Sequence, residues 1–156
     1  HRRGRQVVLV DIENLAGGSD ASQHEYAEVW ALLRHGAIAL HPGDVVAVGA
    51  SRRAAQQAIP ALWGQPVQWR WRDGVDGADL ALLDFMDVTH IAQRYSRLVI
   101  ASGDHAFATL AQGARRRGMA VHQVIGRGLS SAELWGECTT HAKLRLGDRV
   151  PLALAA

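Results

Sequence analysis

Val7-Val8-Leu9-Val10-Asp11-Ile12-Glu13-Asn14 is the stretch on which the fold turns. Four consecutive aliphatic residues with no polar alternation describe a strand buried on both faces, as in a parallel sheet covered by helices. The run stops at Asp11, which puts a carboxylate at the strand's carboxyl end. Working outward, the same grammar repeats. Gly17-Gly18-Ser19 reads as a loop before a helix over 25–34, and Pro42-Gly43 turns into a second strand over 45–48. A helix is expected over 52–63, with Pro60 bending or ending it. The third strand, 67–71, alternates Val67, Trp69 and Trp71 on one face with Gln68, Arg70 and Arg72 on the other. Alternation buries one face only, so this strand belongs at a sheet edge. Asp73-Gly74 ends it, and one strongly apolar helix is expected over 78–92. A fourth strand over 98–101 and a helix over 104–117, stopped by Gly118, come next. A fifth strand over 121–125 leads into Gly126-Arg127-Gly128, a short helix capped by Ser130 or Ser131, and a last short strand over 141–144. Apolar runs alternating with amphipathic stretches define an α/β domain with a mainly parallel sheet. Its expected plan is a flexible segment over 1–6, the domain over 7–146 and a tail over 147–156.

Composition narrows the class. With 156 residues and 48% hydrophobic content the chain can bury the core of one domain. Its 21% charged content excludes disordered, collagen-like and coiled-coil chains. No apolar run approaches the ~18 residues of a membrane span, and His1-Arg2-Arg3-Gly4-Arg5 lacks the pattern of a secretory leader. The single cysteine, Cys138, has no internal partner. A cytoplasmic domain without membrane contact is the expectation. The pI is about 9.2, and 16 of the 17 basic residues are Arg. Arg suits bidentate phosphate contacts, but GC-rich coding produces the same bias, so position must carry the argument. Arg115-Arg116-Arg117, for instance, falls at a helix end, where cations favour the dipole.

Ligand sites of open α/β sheets lie outside the strands' carboxyl ends. There the first strand delivers Asp11, Glu13 and Asn14, the third is followed by Asp73, Asp76 and Asp79, and the fourth ends in Ser102-Gly103-Asp104. Each Asp taken singly is also a turn former or helix cap. Carboxylates gathered at one rim repel unless a cation sits among them, and hard oxygen donors select Mg²⁺ or Mn²⁺. The eight His show no zinc-ligand spacing. Arg52 and Arg53 after the second strand, Arg70 and Arg72 on the third, and Arg127 after the fifth surround this rim. Acids flanked by Arg suit chemistry on phosphodiesters. Trp69 and Trp71 are either stacking platforms for bases or core residues.

Three of these segments resemble a known family. Val7-Val8-Leu9-Val10-Asp11-Ile12-Glu13-Asn14-Leu15 resembles the opening motif of NYN domains, a branch of the PIN-like nucleases. Asp76-Gly77-Ala78-Asp79-Leu80-Ala81-Leu82, with the later acid Asp84, resembles the central motif, and Ser102-Gly103-Asp104-His105-Ala106-Phe107 the Ser-Gly-Asp-x-Asp-Phe motif. Residues 126–144 are similar to the closing loop, helix and strand. The resemblance implies a three-layer α/β/α sandwich with strand order 3-2-1-4-5, an acidic Mg²⁺ or Mn²⁺ site and ribonuclease activity. By position it implies Asp11, Asp79 and Asp104 as metal and catalytic residues with Asn14, and Ser102, Asp84 and Asp76 in support. One departure stands out: the motif's second Asp is Ala106 here. Three acids still hold one metal, because Mg²⁺ keeps several waters.

The function expected is a metal-dependent endoribonuclease with RNA, single-stranded or structured, as partner and Arg52, Arg53, Arg72 and Arg127 as phosphate contacts. The alternative is a catalytically weakened domain that binds RNA or protein. Self-association as a homodimer is compatible with either. A phosphatase of the haloacid dehalogenase type is disfavoured, because Glu13 stands where its second Asp belongs and the only Lys, Lys143, lies near the end.

Overall fold

The aliphatic run becomes the centre of the molecule. In the computed structural model, which describes residues 4–71 and 77–147, β1 (Gln6–Asp11) is buried along its whole length. Its alternate side chains feed two cores: Val8 and Val10 face one, Val7 and Leu9 the other. Burying each such side chain contributes about 1.5–3 kcal/mol, so this strand anchors both helical layers.

Six parallel strands assemble around it in the order β3-β2-β1-β4-β5-β6. The others are β2 (Val45–Ala50), β3 (Gln68–Trp71), β4 (Arg97–Ala101), β5 (Ala120–Ile125) and β6 (Thr140–Lys143). The expected order 3-2-1-4-5 is therefore observed, β6 extends it, and β3 occupies an edge as its alternation requires. Helices α1 (Ile12–Ala16), α2 (Gln23–Leu32) and α3 (Arg52–Ala61) cover one face, where Ile12, Leu15, Tyr26, Val29, Ala54 and Ala58 pack. On the other lie α4 (Gly77–Phe85), α5 (Val88–Arg94), α6 (Ala108–Arg116) and α7 (Ala132–Glu137), contributing Leu82, Ile91, Leu110, Ala114 and Leu134. This is a three-layer α/β/α sandwich. Among the described residues no helix is long and apolar enough to cross a membrane.

Three local expectations are corrected. The single helix over 78–92 is two, α4 and α5, because the Asp87 carboxylate accepts from Thr89 N (2.9 Å) and His90 N (3.3 Å) and so caps a new helix. The helix over 104–117 begins as a 3-10 turn, His105–Phe107, before α6. The helix expected over 25–34 gives way to a π-helical turn, Leu33–Ala37, at the end of α2, and Asp11 caps a short helix, α1, for which there was no expectation. Pro60 lies inside the last turn of α3. Ser131 is the residue that caps α7, accepting from Leu134 N at 3.3 Å. Cys138 is buried, which pushes its thiol up to about 11 and leaves it unreactive.

Candidate functional site

The chain runs outward from β1 through β2 to β3, then returns to β4 on the other side of β1. The switch point therefore opens between β1 and β4. Asp11 ends one of these strands and Ser102 follows the other, and their side chains meet: the Ser102 hydroxyl donates to Asp11 Oδ2 at 3.0 Å. The same hydroxyl oxygen accepts from Asp104 N at 3.1 Å. Asp11 Oδ1 accepts from Asn14 N at 3.3 Å, capping α1. Asn14 in turn reaches across the switch point, where its Oδ1 accepts from Gly103 N at 2.9 Å and its Nδ2 donates to Leu129 O at 3.3 Å. Asp104 Oδ1 accepts from Ala106 N at 2.9 Å and lies 3.3 Å from His105 Nδ1. One further bond anchors the corner: Gln123 Nε2 donates to Ser102 O at 2.9 Å.

Two glycines allow the surrounding backbone to close in. A Cβ on Gly103 would stand 2.2 Å from Leu129 O, so this position must stay bare for the loop after β5 to lie over β4's end. A Cβ on Gly49 of β2 would stand 2.5 Å from Ala78 O and 2.6 Å from Leu82 Cγ. The N-terminal turn of α4, carrying buried Asp79, thus rests directly on the sheet. Glu13 Oε1 accepts from Ser51 N and ties α1 to the start of α3.

The result is an open cavity of about 650 Å³ lined by Asp11, Glu13, Asn14, Asp79, Asp104 and His105, with Gly128 to Ser131 along one wall. Asp11 is 4% exposed. Burial is the main force on its carboxyl; the Ser102 and Asn14 hydrogen bonds oppose it, while Asp79 and Glu13 repel the charge, and the balance lifts Asp11 from 3.8 to about 7. The donors of Asp11, Glu13, Asn14, Asp79 and Asp104 are hard oxygens, which fits Mg²⁺ or Mn²⁺ by type. Among the described residues no three His, Cys, Asp or Glu side chains converge into a ready-made metal cluster. A cation that keeps most of its water suits this wider spacing.

The expected site residues divide accordingly. Asp11, Asn14, Asp79 and Asp104 line the cavity and Ser102 braces it from behind. Asp84 is exposed on α4 and does not line the cavity. Asp76 and Arg72 lie outside the described residues. Arg52 and Arg53 are exposed at the start of α3. Arg127 points into the fold instead: its guanidinium donates to Gly147 O and lies 3.6 Å from Glu25 Oε2. Sequence reasoning missed Gln123, Gly49 and Leu129, since a polar residue or a glycine within a strand carries no label for what it touches. Trp69 packs against the core, whereas Trp71 is 62% exposed.

No family model matches the chain, and no curated protein is similar to it in sequence. Among solved structures it is similar to the crystal structure of a protein of unknown function from Vibrio parahaemolyticus. The TM-score is 0.57 at 20% identity, over 91% of this chain and 93% of that one. At that identity the likeness is one of fold, and it agrees with the six-stranded parallel sandwich.

Proposed function

We propose that the chain is a metal-dependent endoribonuclease acting at the acidic cavity, with Mg²⁺ or Mn²⁺ as cofactor. One observation carries the reading: a carboxyl nine-tenths buried, Asp11, is fixed at the switch point beside Asp79 and Glu13, whose charges oppose its own. A protein gains nothing in stability from that arrangement, and a divalent cation resolves it. The three motif resemblances and the strand order support the same reading.

Asp11, Asp79 and Asp104 would hold the cation, mostly through water. When bound, it supplies charge neutralisation of the scissile phosphate and activation of a water molecule. Ser102 keeps the Asp11 carboxylate aimed by donating to it. Asn14 fixes the backbone at Gly103 and so the position of Asp104. Water adds to phosphorus as the P–O bond to the departing ribose breaks. Arg52 and Arg53, exposed at the start of α3, would hold phosphates to one side of this point.

A second reading, a domain that binds RNA or protein without cutting, is favoured by Ala106, which lacks the family's further carboxylate, and by the absence of a tight cluster among the described residues. Cleavage of labelled single-stranded RNA in Mn²⁺, Mg²⁺ or EDTA separates the two. The nuclease reading expects metal-dependent cutting that Asp104→Asn reduces by at least about a hundredfold. Equal cutting by parent and variant, or none by either, overturns it, and Ala106→Asp then tests whether the missing acid is the reason.

A further inference from the structure

The loop over 126–131, between β5 and α7, is fastened to α1 and to the end of β4. Arg127 N donates to Leu15 O at 2.9 Å and Gly128 N to Asn14 O at 2.8 Å. Asn14 Nδ2 donates to Leu129 O, and Ser131 N donates to Gly103 O at 2.8 Å. Three bare glycines permit these approaches. A Cβ would stand 2.4 Å from Leu15 O at Gly126, 2.3 Å from Asn14 O at Gly128 and 2.2 Å from Leu129 O at Gly103.

What this fastened loop presents is Leu129, 91% exposed and the most open of the large hydrophobic side chains among the described residues. Leu129 lines the acidic cavity, where every other described lining residue except Ala78 is polar, charged or glycine. A lone exposed Leu is ordinary where a loop is free to fold it away. Here the backbone hydrogen bonds fix the path of the loop, and turning Leu129 inward would break them. The fold thus holds its most open aliphatic side chain in water, at the mouth of a cavity of acids.

A nucleotide strand offers two kinds of surface. Its phosphates suit a cation held by the acids, whereas the faces of its bases need an apolar partner. Leu129 lacks the flat face that stacks under a base, and aliphatic side chains act on nucleic acids as wedges between neighbouring bases. Asp104 follows Gly103 directly, one Cα step of about 3.8 Å, and Gly103 is the residue that the Leu129 carbonyl approaches. A base beside a phosphate at Asp104 is therefore within reach of the Leu129 side chain.

We propose that Leu129 is a substrate-contacting wedge, which packs between two bases next to the phosphate being cut and so selects strands whose bases can part. The proposal rests on the nuclease reading of the cavity and deepens it, because it makes the preferred substrate single-stranded RNA. In a duplex the step to be opened is also paired, so insertion costs more.

The test is steady-state cutting in Mn²⁺ of a labelled single-stranded oligoribonucleotide and of the duplex of the same sequence. The parent is compared with Leu129→Ala, Leu129→Met and Asp104→Asn. On the single strand, Leu129→Ala should raise KM about tenfold with kcat within about twofold of the parent, and Leu129→Met should recover most of the loss. The preference for single strand over duplex in kcat/KM should fall about tenfold in Leu129→Ala. Because the side chain is exposed, Leu129→Ala should melt with the parent, so loss of folding does not intervene. Cutting that disappears in Asp104→Asn, with equal KM for parent and Leu129→Ala, overturns the wedge and leaves the nuclease reading intact. A loss shared equally by single strand and duplex also overturns it, since no parting of bases is then involved. Sedimentation showing that Leu129→Ala dissolves a dimer does the same, because a second copy then covers the side chain. No cutting by the parent overturns both readings.

Discussion

The two halves of the rim are built in opposite ways. At the β1–β4 crevice Asp11, Asn14 and Ser102 each bond to another segment of chain, and the backbone of Gly103 is bonded on both sides. At the β2–β3 edge the side chains of Arg52, Gln56 and Trp71 stand exposed over an open cleft. The first half positions charge against its own repulsion; the second offers surface.

The largest effect should come from breaking the crevice at Asp11. Its folded carboxyl titrates near 7 and its unfolded one near 3.8, so between these values the folded chain holds a proton that the unfolded chain has released. Stability from this group is complete below the unfolded value and is lost as pH rises through about 7. Asp11→Asn should therefore melt close to the parent at acid pH and be more stable above neutrality, by an amount on the order of a few kcal/mol. Mn²⁺ should raise the parent's melting temperature at that pH and leave the variant unmoved. Calorimetry at both pH values, with and without Mn²⁺, checks this. A variant less stable than the parent at high pH removes the argument from burial.

Next in size is Gly103→Ala, whose added methyl collides with the Leu129 carbonyl. It should cost about 1–3 kcal/mol in urea unfolding and also spread the cavity wall. Ser102→Ala follows, at about 1–2 kcal/mol, because it deprives Asp11 of a donor and Asp104 N of an acceptor. Since that donor lowers the Asp11 value, the acid limb of any pH–activity profile set by ionisation of Asp11 should move to higher pH. The smallest effect sharpens the contrast from the other side. Arg127→Ala should cost below about 1 kcal/mol and leave RNA affinity nearly unchanged, because its guanidinium is already engaged by Glu25 and Gly147. A large loss of RNA binding would return Arg127 to the phosphate-contacting set.

What was legible in the sequence follows the same division. The aliphatic runs of β1 and β4 announce themselves, because burial on both faces leaves no room for polar residues. The alternation of β3 announces an edge, and the Asp at the end of each central strand marks the rim. What stayed hidden is what depends on distant partners. Asp87 sits inside a nearly continuous apolar stretch, so only its hydrogen bonds reveal that one helix is two. Gly49 reads as a weak strand residue until α4 is seen resting on it. Trp69 and Trp71 share one face by period, yet only Trp69 meets the core, because Trp71 stands at the strand's outermost position.

The position of β1 has a consequence for how the chain is made. Both of its neighbours come later in sequence, β2 first and β4 long after, and Ser102 emerges 91 residues after Asp11. At about 5–20 residues per second of synthesis, one side of Val7-Val8-Leu9-Val10 waits about 5–20 seconds for β4. During that interval the most apolar strand of the protein has an open hydrogen-bonding edge, and the acid pair at its tip has no hydroxyl to brace it. The strand that holds the finished molecule together is thus the one most exposed to mispairing on the way.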